Sequence, residues 1–372
     1  MNDKRMKKLV NLIDVNGLAG IALNPGSSLT YLTGLHFHLM ERPTVLMIAQ
    51  DGSSAIILPA LEKGKLKEEP PFLQVCPYGD DPSTWALAFN RAAEQLNFQN
   101  GKIAVEPTRL RFLELSFLKA ALPANEFVDG SDVFSGLRIQ KDEDEIEKMR
   151  QAAKIAQDAL LATLNSLQEG MSEKAIANEL IINLLRFGSD PKLPFSPIVA
   201  IGENSANPHA VPTDRSLIKG DLLLIDWGAG YEGYFSDITR TFTFGEVDPE
   251  LIRIGDVVLA ANQAGRKAGK AGLDAGAIDR AARAVISEAG YGRAFFHRTG
   301  HGLGMEAHEP PYIFGENEFI LTSGMTFTVE PGIYLAGKGG VRIEDDVVVT
   351  EHGLESLTDL SREVLPLERF MA

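Results

Sequence analysis

Asp226, Asp237, His301, Glu330 and Glu344 have the side chains of a complete two-metal site, and each sits in a distinctive local setting. Asp226 follows Leu-Leu-Leu-Ile, and Asp237 lies in Tyr-Phe-Ser-Asp237-Ile-Thr-Arg. His301 stands between two glycines in Thr-Gly-His301-Gly-Leu-Gly. Glu330 occurs in Phe-Thr-Val-Glu330-Pro-Gly and Glu344 in Val-Arg-Ile-Glu344-Asp. Four carboxylates and one imidazole would carry four negative charges, which two divalent cations would neutralise. Without cations the converging carboxylates would repel, and some would have to take up protons. Two such ions can share a water, acidify it to near neutral pH and polarise a neighbouring carbonyl.

The elements that must position these ligands read as strands and helices in alternation. Asp226 ends the apolar run 222–225, glycines at 228, 230 and 233 permit a turn, and 234–244 continues in strand-like alternation. An antiparallel hairpin would bring the two aspartates onto facing strands. A second hairpin is expected from 326–330, a glycine-rich turn at 337–340 and a return from Val341, with Arg342 and Glu344 on one face. Two helices, 143–168 and 172–186, precede the first pair, and two more, 248–270 and 276–289, precede the second. The expected architecture is therefore an α+β unit of two pseudo-twofold halves with the site between them. Acidic residues 142–145 open the first of these helices, where negative charge complements the helix dipole, and Ser172 is a candidate cap for the second.

Residues 1–136 read as a separate α/β unit, 137–142 as the connection and 143–372 as the unit bearing the ligands. In the first, the apolar runs 44–50 and 54–58 flank Asp51-Gly52, a hairpin signal. A helix over 82–96, a strand over 102–106 and a helix over 109–121 follow. A length of 372 residues fits two domains better than one.

The chain has 51 acidic and 36 basic residues and a net charge of −15, which argues against a nucleic-acid or anionic-membrane partner. No apolar stretch reaches the ~20 residues needed to span a bilayer. Residues 1–10 are charged and do not read as a signal peptide. Cys76 is the single cysteine, so it reads as a packing residue in a protein of the cytoplasm.

Taken one at a time, the ligand motifs are ordinary. His297 and His301 are four apart, but Gly300 between them and no glutamate in second position exclude a zincin helix. The Gly300–Gly304 stretch lacks the strand-turn-helix setting of a dinucleotide fingerprint, and no nucleophile elbow or P-loop occurs. An acidic run such as Glu344-Asp345-Asp346 is commonly a solvated turn.

The order Asp, Asp, His, Glu, Glu and the settings of the five resemble the pita-bread metallopeptidases, the family of methionine aminopeptidase, aminopeptidase P and prolidase. The resemblance spans roughly 143–372. The stretch from His297 through His301 to His308-Glu309, together with Asn207-Pro-His209-Ala and Arg342, is similar to the proline-specific branch. The N-terminal unit, with Tyr31-Leu-Thr-Gly34, resembles the creatinase-type N-domain of that branch.

The resemblance implies roles. Asp226 would chelate one ion, Asp237 and Glu344 would bridge, and His301 and Glu330 would complete the other. Glu330 would also shuttle a proton, His209 and His308 would hydrogen-bond substrate and developing oxyanion, and Arg342 would hold the carboxylates or the substrate. The substrate would be a peptide with proline second, the ring received by Phe195, Pro310, Pro311 and Tyr312. The ions would be manganese, cobalt, iron or zinc, with manganese favoured. The resemblance further implies a homodimer, in which His36 and His38 are either a surface or locally bonded pair, the favoured reading, or place one imidazole in the partner's cleft. Prolidase, which takes dipeptides, and aminopeptidase P, which takes longer peptides, remain open. Readings of another class, a metal-free hydrolase of creatinase type or a peptide-binding module, would require missing ligand positions, and all five are filled.

Overall fold

The computed structural model describes residues 3–66, 73–96 and 98–371; Met1 and Asn2, part of the N-terminal stretch read above, lie outside them. The chain separates into two compact units, Met1–Arg138 and Ile139–Ala372.

The first unit is built on a six-stranded mixed sheet. Its strand order is Leu73–Tyr78, Ser54–Pro59, Val45–Ala49, Leu18–Leu23, Lys102–Val105, Glu126–Asp129. Val45–Ala49 and Ser54–Pro59 form the expected hairpin, while the pairs at both edges of the sheet are parallel. Helices Trp85–Gln95 and Phe112–Ala121 cover one face through Phe89, Ala92 and Leu118, packed on Val45, Met47 and Ile57. The second of these helices starts later than expected, because Arg109 and Leu110 donate their amides to the Glu106 carbonyl and close a turn first. Cys76 is buried in this core. His36 and His38 are exposed in the loop after helix Ser27–Thr33.

The second unit repeats one plan. Helices Glu143–Asn165 and Glu173–Arg186 lead into a four-stranded sheet of order Leu365–Pro366, Ile238–Thr243, Leu222–Trp227, Ile198–Ile201. Helices Pro249–Ala268 and Gly276–Glu288 lead into a five-stranded sheet of order Glu309–Ile313, Gly300–Gly302, Thr326–Val329, Asp345–Val349, Leu354–Ser356. The helix starts follow from the residues there. Asp142 and Glu145 form a reciprocal capping box, Ser172 accepts the Ala175 amide, and Asp248 caps with proline as the first helical residue. Each helix pair buries its apolar stripe within its own half. Leu160, Leu164, Leu180 and Leu184 meet Ile225 and Trp227 in the first half. In the second, Ile278 meets Phe327 and Val329 of the five-stranded sheet, and Ile254, Val258, Ala282 and Ile286 meet Ile333 and Val341 of a separate two-stranded hairpin, Gly332–Leu335 with Gly339–Arg342. A bridge, Thr239 opposite Glu344, ties the two halves at the point where the candidate ligands converge. Among the described residues no helix is long and apolar enough to cross a membrane.

Candidate metal centre

All four candidate carboxylates lie where strands end or break. Asp226 is the penultimate residue of Leu222–Trp227 and pairs with Thr239. Asp237 does not lie on the facing strand as expected. The chain first makes a small ribbon, Gly230–Tyr231 with Tyr234–Phe235, and the Ser236 amide turns back to the Ala229 carbonyl. Asp237 thus sits just before Ile238–Thr243, its amide donating to the Asp346 carboxylate. In the second half Glu330 falls just past Thr326–Val329, and Glu344 just before Asp345–Val349. The hairpin Gly332–Leu335 with Gly339–Arg342 stands between them. Breaks of this kind let side chains from two sheets turn towards one point.

There they meet. Asp226, Asp237 and Glu344 can each place a carboxylate oxygen within 4.8 Å of the others, and so can His301, Glu330 and Glu344 with one ligand atom each. His301 Nε2 is 3.4 Å from Glu330 Oε1 and 3.7 Å from Asp237 Oδ2. Its Nδ1 lies 3.1 Å from the Gly302 carbonyl, which can only accept. The proton therefore sits on Nδ1, and Nε2 turns its lone pair to the carboxylates. Burial, with His308 adding to it, holds the imidazole neutral by lowering its pKa to about 3. Close packing fixes the ring's backbone. A Cβ at Gly300 would come 1.9 Å from the Thr328 carbonyl oxygen, and one at Gly302 would come 2.2 Å from that of Pro310.

The acids are strained electrostatically. Burial and then the charges of Glu344 and Asp226 push Asp237 well above the usual carboxylate range. Burial and Glu330 do the same to Glu344, and burial lifts Glu330 to about 7. Burial raises Asp226 too, against the pull of Arg342, whose Nη2 donates to Asp226 Oδ2 at 2.5 Å. Asp226 Oδ1 is buried and accepts no hydrogen bond. An orphaned carboxylate oxygen, a lone pair on a neutral imidazole and a crowd of acids seeking positive charge are what a pair of divalent cations would satisfy, so these residues fit two such ions.

Arg342 spans the site as a clamp. Besides Asp226 it donates to the Thr239 hydroxyl, the Pro208 carbonyl and the Tyr334 hydroxyl. The Thr239 hydroxyl itself donates to Glu344 at 2.6 Å, so Arg342 and Glu344 do share a face. His209, exposed on the loop after Pro208, is near enough for its charge to bear on Asp226, His297 and His308. The His308 ring lies 3.9 Å from that of His301, centroid to centroid, and within ligand reach of Asp237. Of the expected proline-binding residues, Pro310, Pro311 and Tyr312 lie on the strand beside His301, with Tyr312 paired to it in register. Pro311 is buried, Phe195 is half-buried, and Arg298 stacks on the Tyr312 ring at 4.4 Å.

Several residues that shape the centre were given no role in it from the sequence. Thr239 joins Glu344 to Arg342. His297 bonds the Tyr334 hydroxyl through Nε2 at 2.9 Å. Asp345 and Asp346 are fully buried and so are not a solvated acidic turn. Asp345 accepts from Arg240, Arg362, Thr358 and Asn262. The one available signal was the mostly apolar company of this run, Val341 and Ile343 around Arg342 before it and three valines after it.

Comparison with known proteins agrees with this geometry. Residues 147–351 match metallopeptidase family M24, and residues 5–140 match the creatinase/prolidase N-terminal domain. An Xaa-Pro dipeptidase of Lactobacillus delbrueckii subsp. lactis is 35% identical over 98% of this chain and 99% of its own. The structure of a prolidase from Thermococcus sibiricus superposes with a TM-score of 0.91 at 36% identity, covering 98% of this chain and 99% of that one. An X-Pro aminopeptidase from Thermotoga maritima gives 0.84 at 33% identity, covering 97% and 99%. The chain belongs to metallopeptidase family M24, with a creatinase/prolidase N-terminal domain ahead of a pita-bread catalytic unit.

Proposed function

We propose that this protein is a dinuclear metal-dependent peptidase that hydrolyses the bond before proline in Xaa-Pro peptides. The observation that carries the proposal is the buried convergence of Asp226, Asp237, Glu330 and Glu344 on the lone pair of a neutral His301. The names of the relatives, an Xaa-Pro dipeptidase, a prolidase and an X-Pro aminopeptidase, point to the same substrate class.

The bond before proline is a tertiary amide with no N–H to grip and a ring that fixes the backbone. Ions held by the five ligands would acidify the attacking water and polarise the carbonyl without needing that N–H. The rest falls to the chain's own groups. By the family likeness Glu330, a candidate ligand beside His301, would accept the proton of the attacking water and pass it to the departing proline nitrogen. Arg342 and Thr239 keep Asp226 and Glu344 in place, so the ligands hold their geometry as charge moves. His308 and His209 provide imidazole donors for the developing oxyanion and the substrate, a stabilisation that costs no reorganisation because the ring beside His301 is already placed. Manganese as the native ion, with cobalt, iron and zinc as substitutes, rests on the oxygen-rich ligand set with one histidine. A homodimer with His36 or His38 near the partner's cleft, and a cytoplasmic setting, rest on the family likeness.

The test is a paired assay of Ala-Pro-Ala against Ala-Ala-Ala, and of Ala-Pro against both, with manganese-loaded protein. Hydrolysis of the proline peptides alone is expected. Cleavage of Ala-Pro only would mark a dipeptidase and good cleavage of Ala-Pro-Ala an aminopeptidase, while equal turnover of the two tripeptides would rule out proline specificity.

A further inference from the structure

The catalytic unit contains a further buried charge pair, Lys141 with Glu309, that no ligand role explains. Lys141 Nζ lies 2.6 Å from Glu309 Oε1, and the two side chains are only 1% and 4% exposed. Lys141 comes from the start of the unit, 168 residues before its partner. Its backbone is fixed as well, the amide donating to the Gly324 carbonyl at 2.8 Å. Glu309 directly follows His308 and opens the strand that pairs with Gly302.

Between Gly302 and Glu309 the chain forms no helix or strand, and His308 is exposed within that segment. Its neighbours therefore have to fix its place. Both ends of the segment rest on the ion pair. Glu309 enters it directly at the C-terminal end. At the N-terminal end Gly304 packs against it so closely that a Cβ there would lie 2.8 Å from Glu309 Oε1 and 2.9 Å from Lys141 Cε. The Gly304 carbonyl in turn accepts the amide of Phe235, two residues before Asp237.

We infer that the Lys141–Glu309 pair is a positioning device that seats the 304–309 segment and thereby fixes the His308 imidazole against His301. A buried, desolvated pair is suited to this, since its attraction is little screened and its partners cannot exchange for water. Residues that hold a reacting group within fractions of an ångström act on the rate constant, and a misplacement of about 1 Å can cost ~10²-fold. The inference takes its substrate from the functional reading above.

Glu309→Gln and Lys141→Met test it in the metal-loaded enzyme, with the double variant Lys141→Met/Glu309→Met to restore packing without an unpaired charge. Each is expected to lower kcat on Ala-Pro peptides by ~10–100-fold, with KM and metal stoichiometry unchanged. His308→Ala should then cost much less in a Glu309→Gln background than in the wild type. An equal cost in both backgrounds would overturn the inference, as would a loss of bound metal that accounts for the fall in rate. A readout independent of substrate keeps the two proposals apart. In zinc-loaded protein with labelled histidines, the His308 ring resonances should shift in the pair variants and stay put in Lys154→Met, which removes only a surface pair. Unmoved His308 resonances would sink the inference even if proline peptides are cleaved, and shifted ones would support it even if they are not.

Discussion

Each half of the catalytic unit holds a buried aspartate against an arginine of the other half, and the two pairs are finished differently. Asp345 of the second half faces Arg240 of the first, and is further bonded by Arg362, Thr358 and Asn262. Burial pushes its carboxyl up, but Arg240 and Arg362 outweigh that and hold it at about 2. Asp226 of the first half faces Arg342 of the second, but one of its oxygens has no donor, and its carboxyl is raised. The residue type, the burial and the reciprocal arrangement are shared. One acid is completed by protein and the other is left short of positive charge. The difference separates what holds the halves together from what awaits a ligand: satisfied polar networks rigidify, and unsatisfied ones mark function.

The comparison breaks most visibly at the acids that face the site. Asp237→Asn should reduce peptide hydrolysis to background and lower bound metal below two per chain, yet leave the melting temperature of metal-free protein unchanged or higher, because an amide, unlike a carboxyl, needs no proton to stay neutral beside Glu344 and Asp226. Metal analysis and calorimetry on the same sample decide this, and full activity after exhaustive chelation would refute the whole metal reading. Asp345→Asn should behave in the opposite way. It leaves Arg240 and Arg362 without their carboxylate, so the loss of stability should be about 3–5 kcal/mol, the usual result of breaking a buried pair. Denaturant unfolding measures it, and a loss below roughly 1 kcal/mol, the value of a surface pair, would erase the distinction between the two aspartates.

His308→Ala sharpens the boundary between ligand and helper. A ~10²–10³-fold fall in kcat is expected, the common cost of one oxyanion donor, with two metal ions still bound. Because the ring is also within ligand reach of Asp237, a stoichiometric loss of metal would reassign it as a ligand. The smallest effect is in pH. Burial raises Glu330 to about 7 and, with their charged neighbours, lifts Asp237 and Glu344 well above the usual carboxylate range, so the metal-free native state binds more protons than the unfolded chain above the unfolded carboxylate range. The imidazoles of His301 and His297, lowered to about 3 and about 4, act in the opposite sense but only up to their unfolded value of 6.5. From pH 6.5 to 8 metal-free protein should therefore lose stability as pH rises, by at most about 1.4 kcal/mol per unit for each proton released. Metal-loaded protein should not. Melting curves at four pH values with and without manganese would show a common slope if this is wrong.

Much of the framework around this site could be read from the chain because its elements follow local pattern. The helix pairs, the Ser172 cap and the pairing of the strands after Asp226 depend on residues near one another, whereas the expected second hairpin is displaced, Thr326–Val329 pairing with Asp345–Val349 and Gly332–Leu335 with Gly339–Arg342. The five candidate ligands were singled out only by their joint order and settings, through the family resemblance. What was missed depends on distant partners. Asp345 looked like part of a solvated acidic run because Arg240 and Asn262 lie 105 and 83 residues away. Thr239 is unremarkable in sequence and matters only because Glu344 folds onto it. The break that displaces Asp237 from its strand comes from the Ser236–Ala229 bonds, which a regular alternation of side chains does not announce.

The two glycines around His301 set a limit on how this protein can change. Thr328 and Pro310 carbonyls occupy the space that any side chain at 300 or 302 would need. Drift at these positions is therefore closed off by the backbone of neighbouring strands, whatever selection acts on catalysis. Val211, 78% exposed in the loop after His209, carries no such constraint. A library meant to retune substrate choice should place its diversity there and leave the histidine strand alone, since variants at 300 and 302 would be lost at folding before any substrate could select among them.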